Sequence, residues 1–197
     1  MLSRECRTTG APPRKPILKQ FVRREPFLEN QYTNEEFPMS DTVKVMPYIT
    51  NIDQAPAYWQ VGILWLMLAT GEQTGGEYSL MWQLCPKDSG PGPHYHDQDE
   101  QFFVLEGEIT YQVNGMELKA KPGSFVLIPR GTVHAFRVTS ETATILNSYT
   151  PAGFERAILE LGEPAQTRTL PPLDRPAIPG GFEKARKIFK EIGMHIL

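Results

Sequence analysis

At 197 residues the chain is long enough for one domain with a substantial core. Formal net charge is −3, with seven Lys/Arg against five Asp/Glu over residues 1–38 and 13 against 18 beyond. The body is therefore acidic and lacks the basic stripe that a nucleic-acid partner needs. Two cysteines, Cys6 and Cys85, make no disulfide framework, no apolar run approaches the roughly 20 residues that span a membrane, and no apolar h-region opens the chain, so a cytoplasmic setting is expected.

Residues 1–40 are polar, Pro-containing and aperiodic, and read as a disordered or arm-like tail. Met39-Ser40-Asp41 looks like an ordinary start, and Phe21, Phe27 and Phe37 offer the alternative of an arm anchored on a partner subunit. Residues 41–197 read as a single domain with its barrel core over about 58–150. Strands are expected over 43–49, 59–68, 77–84, 101–105, 108–113, 116–120, 124–128, 133–138 and 142–149. Gly75-Gly76, Glu106-Gly107, Asn114-Gly115, Lys121-Pro122-Gly123 and Pro129-Arg130-Gly131 punctuate them, and Asn-Gly is a strong two-residue hairpin signal. Many short strands joined by tight turns, with no helices between them, predict an all-β sandwich or small antiparallel barrel. Helices are expected only at the end, over about 152–162 and 182–192, the second with Phe182, Ala185, Ile188 and Phe189 as its apolar stripe.

Three of the four histidines fall in two short segments. His94 and His96 are two residues apart, so in a strand they share a face, and Glu100 can join them after a short bend. Alone, such a pair on a loop is usually surface decoration. His134 changes that reading: the Pro129-Arg130-Gly131 turn places it at the start of another strand. Three neutral imidazoles and one carboxylate suit one divalent transition metal (Fe, Mn, Ni, Co, Cu or Zn) and leave one or two coordination positions open. His195 reads as structural or solvent-facing. By strand parity Phe102 lies on the side of Glu100 and Phe136 on that of His134. With Trp65 and Trp82 they are the candidate substrate-binding aromatics, each alternatively plain core. Tyr95 and Phe103 have the opposite parity and face outward or towards a second subunit.

These segments resemble the two signature motifs of the cupin superfamily. His94, His96, Glu100 and Gly107 match the first, and Gly123, Pro129, Gly131 and His134 the second. Asp88 stands where the first motif has an early glycine, and Val138 where the second often ends in asparagine; neither position is a ligand in the family. The resemblance implies a small antiparallel jelly roll with the metal inside, held by His94, His96, Glu100 and His134. Met46-Pro47-Tyr48, residues 69–76, residues 151–155 and the end of the last helix resemble single-domain quercetinase-type cupins over about 43–197.

That closer resemblance implies a metal-dependent dioxygenase. It would open the ring of a flavonol such as quercetin with O2, releasing CO and leaving a depside, with Glu100 as both ligand and catalytic base. The implied partners are a small aromatic substrate and O2; charge and hydropathy argue against nucleic acid and membrane, and the outward-parity aromatics with a strand-rich N-terminus suggest a homodimer paired at barrel edges. The alternatives are another cupin metal enzyme (a dioxygenase of a different phenolic or polyketide, an isomerase or a decarboxylase) and a non-catalytic binding cupin. An enzyme of sugar phosphates would need Lys or Arg inside the pocket, and only Lys119, Arg130 and Arg137 lie near the motifs.

Overall fold

A computed structural model describes residues 45–174 and 181–197. The tail read over 1–40, with its candidate start, lies outside them. The first half holds β1 (Ala57–Gln60), β2 (Ile63–Ala69), α1 (Gly71–Thr74), β3 (Ser79–Pro86), β4 (His94–His96), β5 (Asp99–Glu106), β6 (Ile109–Val113) and β7 (Met116–Ala120). Then come β8 (Phe125–Ile128), β9 (His134–Val138), β10 (Thr142–Thr150), α2 (Glu155–Leu161), β11 (Glu163–Pro164), α3 (Gly181–Glu191) and β12 (Met194–Ile196).

The strands form two antiparallel sheets, ordered β11-β1-β2-β3-β10-β5-β8 and β12-β4-β9-β6-β7. They make a two-sheet jelly roll, with a continuous apolar core between the sheets. Alternation does the sorting. On β3, Ser79, Met81, Gln83 and Cys85 turn inward while Leu80, Trp82 and Leu84 turn to the other face, where Trp82 and Leu84 pack on Trp59, Leu64 and Leu66. On β5, Glu100, Phe102 and Val104 turn inward, while Phe103 is exposed beside its cross-strand neighbour Phe125. The Asn114-Gly115 turn forms as expected, both residues having positive φ, and joins β6 to β7 with Val113 opposite Met116.

Several elements differ from the sequence reading. No strand forms over residues 45–49; Pro47 has no amide hydrogen to give a ladder, and Tyr48 instead donates its hydroxyl to Leu68 O (2.8 Å). The strand expected over 59–68 is a hairpin, β1–β2, that turns at Val61 and Gly62 (φ 47° and 77°) and pairs Gln60 with Ile63. A stretch rich in apolar and aromatic residues hid that turn, because valine rarely takes positive φ. The short α1 was missed; Thr70 and Gln73 close it with a reciprocal capping box. α2 starts at Glu155 rather than about 152, since Gly153 (φ 140°) is not helical. The Glu155 carboxylate accepts from the amides of Gly153 (2.7 Å) and Gly71 (2.8 Å), tying α2 to α1. On α3, Ala185 and Ile188 are buried as expected, but Phe182 is exposed. The chain then reverses at Gly193 (φ 71°) into β12, which the sequence reading lacked and which pairs with β4.

Candidate metal centre

β4 carries the first two donors. Its residues alternate buried, half-buried, buried, so His94 and His96 turn inward together while Tyr95 turns out and stacks on His195 (4.5 Å between ring centres). The chain bends at Asp97 and Gln98, and β5 delivers Glu100 to the same interior. His134 opens β9 directly opposite His94 in the sheet. Its turn is tied to both other segments. Gly131 N–H donates to His96 O (2.8 Å), and the Arg130 guanidinium forms a two-pronged ion pair with Asp99 (2.8 and 3.2 Å), the neighbour of Glu100. Asp99 is thereby held at about 2, chiefly by those hydrogen bonds.

The three rings share one device. Each Nδ1 faces a backbone carbonyl: His94 that of Gly92 (2.9 Å), His96 that of Gln98 (2.7 Å) and His134 that of Thr132 (2.8 Å). A carbonyl can only accept, so each Nδ1 carries the hydrogen and each neutral ring offers Nε2 as a lone pair. The Nε2 atoms of His96 and His134 lie 3.1 and 3.0 Å from Glu100 Oε2. Lone pairs and a carboxylate oxygen thus converge with no hydrogen between them unless a ring is protonated. A cation satisfies such a set. The four residues are buried, and their donor atoms lie within 4.8 Å of one another, so the group can hold a metal ion. Without one, the charges settle locally. Burial alone would raise Glu100, but hydrogen bonds from His134 and His96 hold its carboxyl well below the usual range. Burial would lower His134, and the Glu100 hydrogen bond reverses this. His94 drops to about 4, through burial and then the neighbouring His134, so its lone pair stays free into acid pH.

The centre opens on a cavity of about 270 Å³ whose exposed wall is mostly apolar. Trp65, Phe136 and Phe154 line it, with Phe189 of α3 and Met194 of β12. Phe102 does not: it packs beneath, against Tyr111 and Phe136 (5.1 and 5.6 Å between ring centres). Trp82, also expected as a pocket wall, does not line it either, because β3 parity turns it to the opposite face of the sheet. Neither Lys nor Arg lines the cavity among the described residues. Arg130 and Arg137 are engaged by Asp99 and Asp88, and Lys119 lies beside Glu117.

Sequence reasoning missed the polar wall of this cavity. Gln83, Asn147 and Tyr149 line it together with Glu100. Tyr149 O–H donates to Glu100 Oε1, Asn147 Nδ2 donates to the same atom (3.0 Å), and Gln83 Nε2 donates to Asn147 Oδ1 (2.7 Å). Burial, then the charge of Glu100, pushes the Tyr149 phenol well above its usual range, so it remains a donor. The available signal was Gln83, Asn147 and Tyr149 at buried positions alongside Met81, Cys85, Ala143 and Ile145.

A jelly roll around a buried three-histidine, one-carboxylate group defines a barrel that could hold a metal ion at its centre, and parts of the chain are similar to known proteins. Residues 80–149, from β3 to β10, match the family described as the cupin domain and contain all four convergent residues. A quercetin 2,3-dioxygenase of Bacillus subtilis (strain 168) is 28% identical over 127 residues, 64% of this chain and 38% of the relative. An uncharacterised protein of Aquifex aeolicus (strain VF5) is 39% identical over 61 residues, 30% of this chain and 50% of the relative. The chain thus spans half or less of the length of these two relatives. Among solved structures, a predicted oxalate decarboxylase from Thermotoga maritima is 17% identical with a TM-score of 0.49, over 53% of this chain and 99% of the other. No helix among the described residues is long and apolar enough to cross a membrane.

Proposed function

We propose that the protein is a metal-dependent dioxygenase of a flavonol such as quercetin. One observation carries this reading: the four-donor group opens on an apolar, aromatic-walled cavity that no Lys or Arg lines among the described residues. Such walls suit a flat, uncharged aromatic substrate and offer no partner to a phosphate or a polycarboxylate. The similarity to the Bacillus subtilis quercetin 2,3-dioxygenase supports the same substrate class.

A divalent metal bound by His94, His96, His134 and Glu100 would orient the substrate's oxygen and stabilise negative charge on it. The chain's own groups do the rest. Trp65, Phe136 and Phe154 hold the rings and keep water from the reacting carbons. Glu100 is ionised at neutral pH because its hydrogen bonds outweigh its burial, so it can accept the flavonol hydroxyl proton. The His94, His96 and His134 rings stay fixed through their Nδ1–H bonds to backbone carbonyls. The net reaction takes flavonol and O2 to a depside and CO.

Oxygen uptake and loss of the visible quercetin band, with the protein loaded in turn with Fe, Mn, Co, Ni, Cu and Zn, test the reading. Turnover with at least one metal is expected, and none with any of them contradicts it. The exposed neighbours Phe103 and Phe125 support the accompanying proposal of a homodimer, which sedimentation equilibrium checks.

A further inference from the structure

The two oxygens of Glu100 face different partners. Oε2 meets the Nε2 atoms of His96 and His134 at 3.1 and 3.0 Å. Oε1 points away and accepts from Tyr149 O–H and from Asn147 Nδ2 at 3.0 Å. Both donors come from β10, which lies beside β5 with Tyr149 opposite Glu100 and Asn147 opposite Phe102.

Each donor is itself fixed. Asn147 Nδ2 also donates to Gln101 O (3.3 Å), and its Oδ1 accepts from Gln83 Nε2 (2.7 Å), whose own Oε1 lies 3.6 Å from Cys85 Sγ. The Tyr149 ring stacks on Phe154, 4.0 Å between centres and 11° from parallel. Glu100, Gln83, Asn147 and Tyr149 are all at most 3% exposed. Asparagine is depleted in strands, and a buried amide costs free energy unless it is bonded. Apolar packing would be the simpler filling of such a wall, and the bonds from Gln83 through Asn147 and from Tyr149 lead to one carboxylate oxygen.

We propose that Tyr149 and Asn147 are positioning residues of the metal centre: by clamping Oε1 they make Glu100 offer a single oxygen, Oε2, to the cation shared with the three histidines. The last torsion of a Glu side chain is broad, so nothing in the side chain itself selects one oxygen. The clamp supplies that selection. This rests on the metal reading of the site and not on the flavonol reading.

Metal affinity measured through a double-mutant cycle tests it, with Co(II) as the only ligand and a competing chromophoric chelator. Tyr149→Phe keeps the ring stack and removes only the donor. It is expected to weaken Co(II) binding about 10–100-fold, as loss of an outer hydrogen-bond partner does, and to shift the visible Co(II) bands. In a Glu100→Gln background, where three histidines still bind, the same change is expected to cost less than about twofold. The melting temperature of the metal-free protein reports any general loss of structure. If Tyr149→Phe does not fold, Asn147→Ala goes through the same cycle. Wild-type affinity and bands in the folded variant overturn the clamp, as does an equal loss in both backgrounds. Failure of the wild-type protein to take up Co(II) overturns the metal site, and the clamp with it.

Discussion

Tyr111 offers a prediction whose sign is decided by one atom. The residue is fully buried on β6, its ring 5.1 Å from that of Phe102 and 5.8 Å from that of Phe136. Its hydroxyl has no hydrogen-bond partner among the described residues. Burial, and then the nearby Glu100 charge, pushes the phenol far above its usual range, so the group is a neutral, dehydrated hydroxyl. A buried polar group left unbonded costs about 1–3 kcal/mol. Tyr111→Phe keeps every ring contact and removes that cost, so it is expected to stabilise the protein by about 1–3 kcal/mol. For a chain of this length that is a melting-temperature rise of roughly 2–12 °C. Had the hydroxyl a good partner, the same change would instead cost about 0.5–1.5 kcal/mol. Thermal melting by circular dichroism, with urea unfolding as a second measure, reads the sign. An unchanged or lower midpoint refutes the reasoning and shows that the hydroxyl is bonded, with an enclosed water the candidate partner.

Gly107 sits at φ 80°, and a Cβ there would lie 2.3 Å from Thr142 O and 2.7 Å from Ala143 Cα. Left-handed strain and backbone overlap together predict a loss of roughly 2–5 kcal/mol for Gly107→Ala, checked by urea unfolding; a loss under about 1 kcal/mol contradicts it. Cys85 is buried and its thiol is pushed up to about 12 by that burial. At pH 8 it has almost no thiolate, so peptide mapping should find it unalkylated by iodoacetamide in the native protein and alkylated in urea; rapid native labelling contradicts this. Met194 lines the apolar wall. Met194→Asp puts a carboxylate there and is expected to raise the KM for quercetin about tenfold in steady-state assays, whereas an unchanged KM would place the substrate elsewhere.

The convergence of His94, His96, Glu100 and His134 was legible in the sequence because its geometry is local. His94 and His96 share a face by strand parity, and a Gly-Pro-Gly turn presents His134, so only the pairing of His94 with His134 awaited the fold. Asn114-Gly115 was legible for the same reason, its residue types stating their own dihedral angles. Val61-Gly62 was not, because valine does not announce a left-handed turn and the apolar run on either side reads as one strand. Gln83, Asn147 and Tyr149 were illegible as a group, since their contacts with Glu100 and one another depend on the register of β10 against both β3 and β5. Trp82 shows the same limit from the other side: residue type suggested a pocket wall, and only the parity of β3 showed that it faces away. The wall supplied by Phe189 and Met194 follows from β12 docking on β4, a pairing across nearly 100 residues that no local pattern encodes.

The metal content of the purified protein tests the centre most directly. After loading with a divalent transition metal and gel filtration, elemental analysis should find one equivalent per chain, falling to well under one-tenth in a folded His94→Ala/His134→Ala double variant. A wild-type protein that retains no metal, or a double variant that retains as much as wild type, would contradict a centre built from His94, His96, Glu100 and His134.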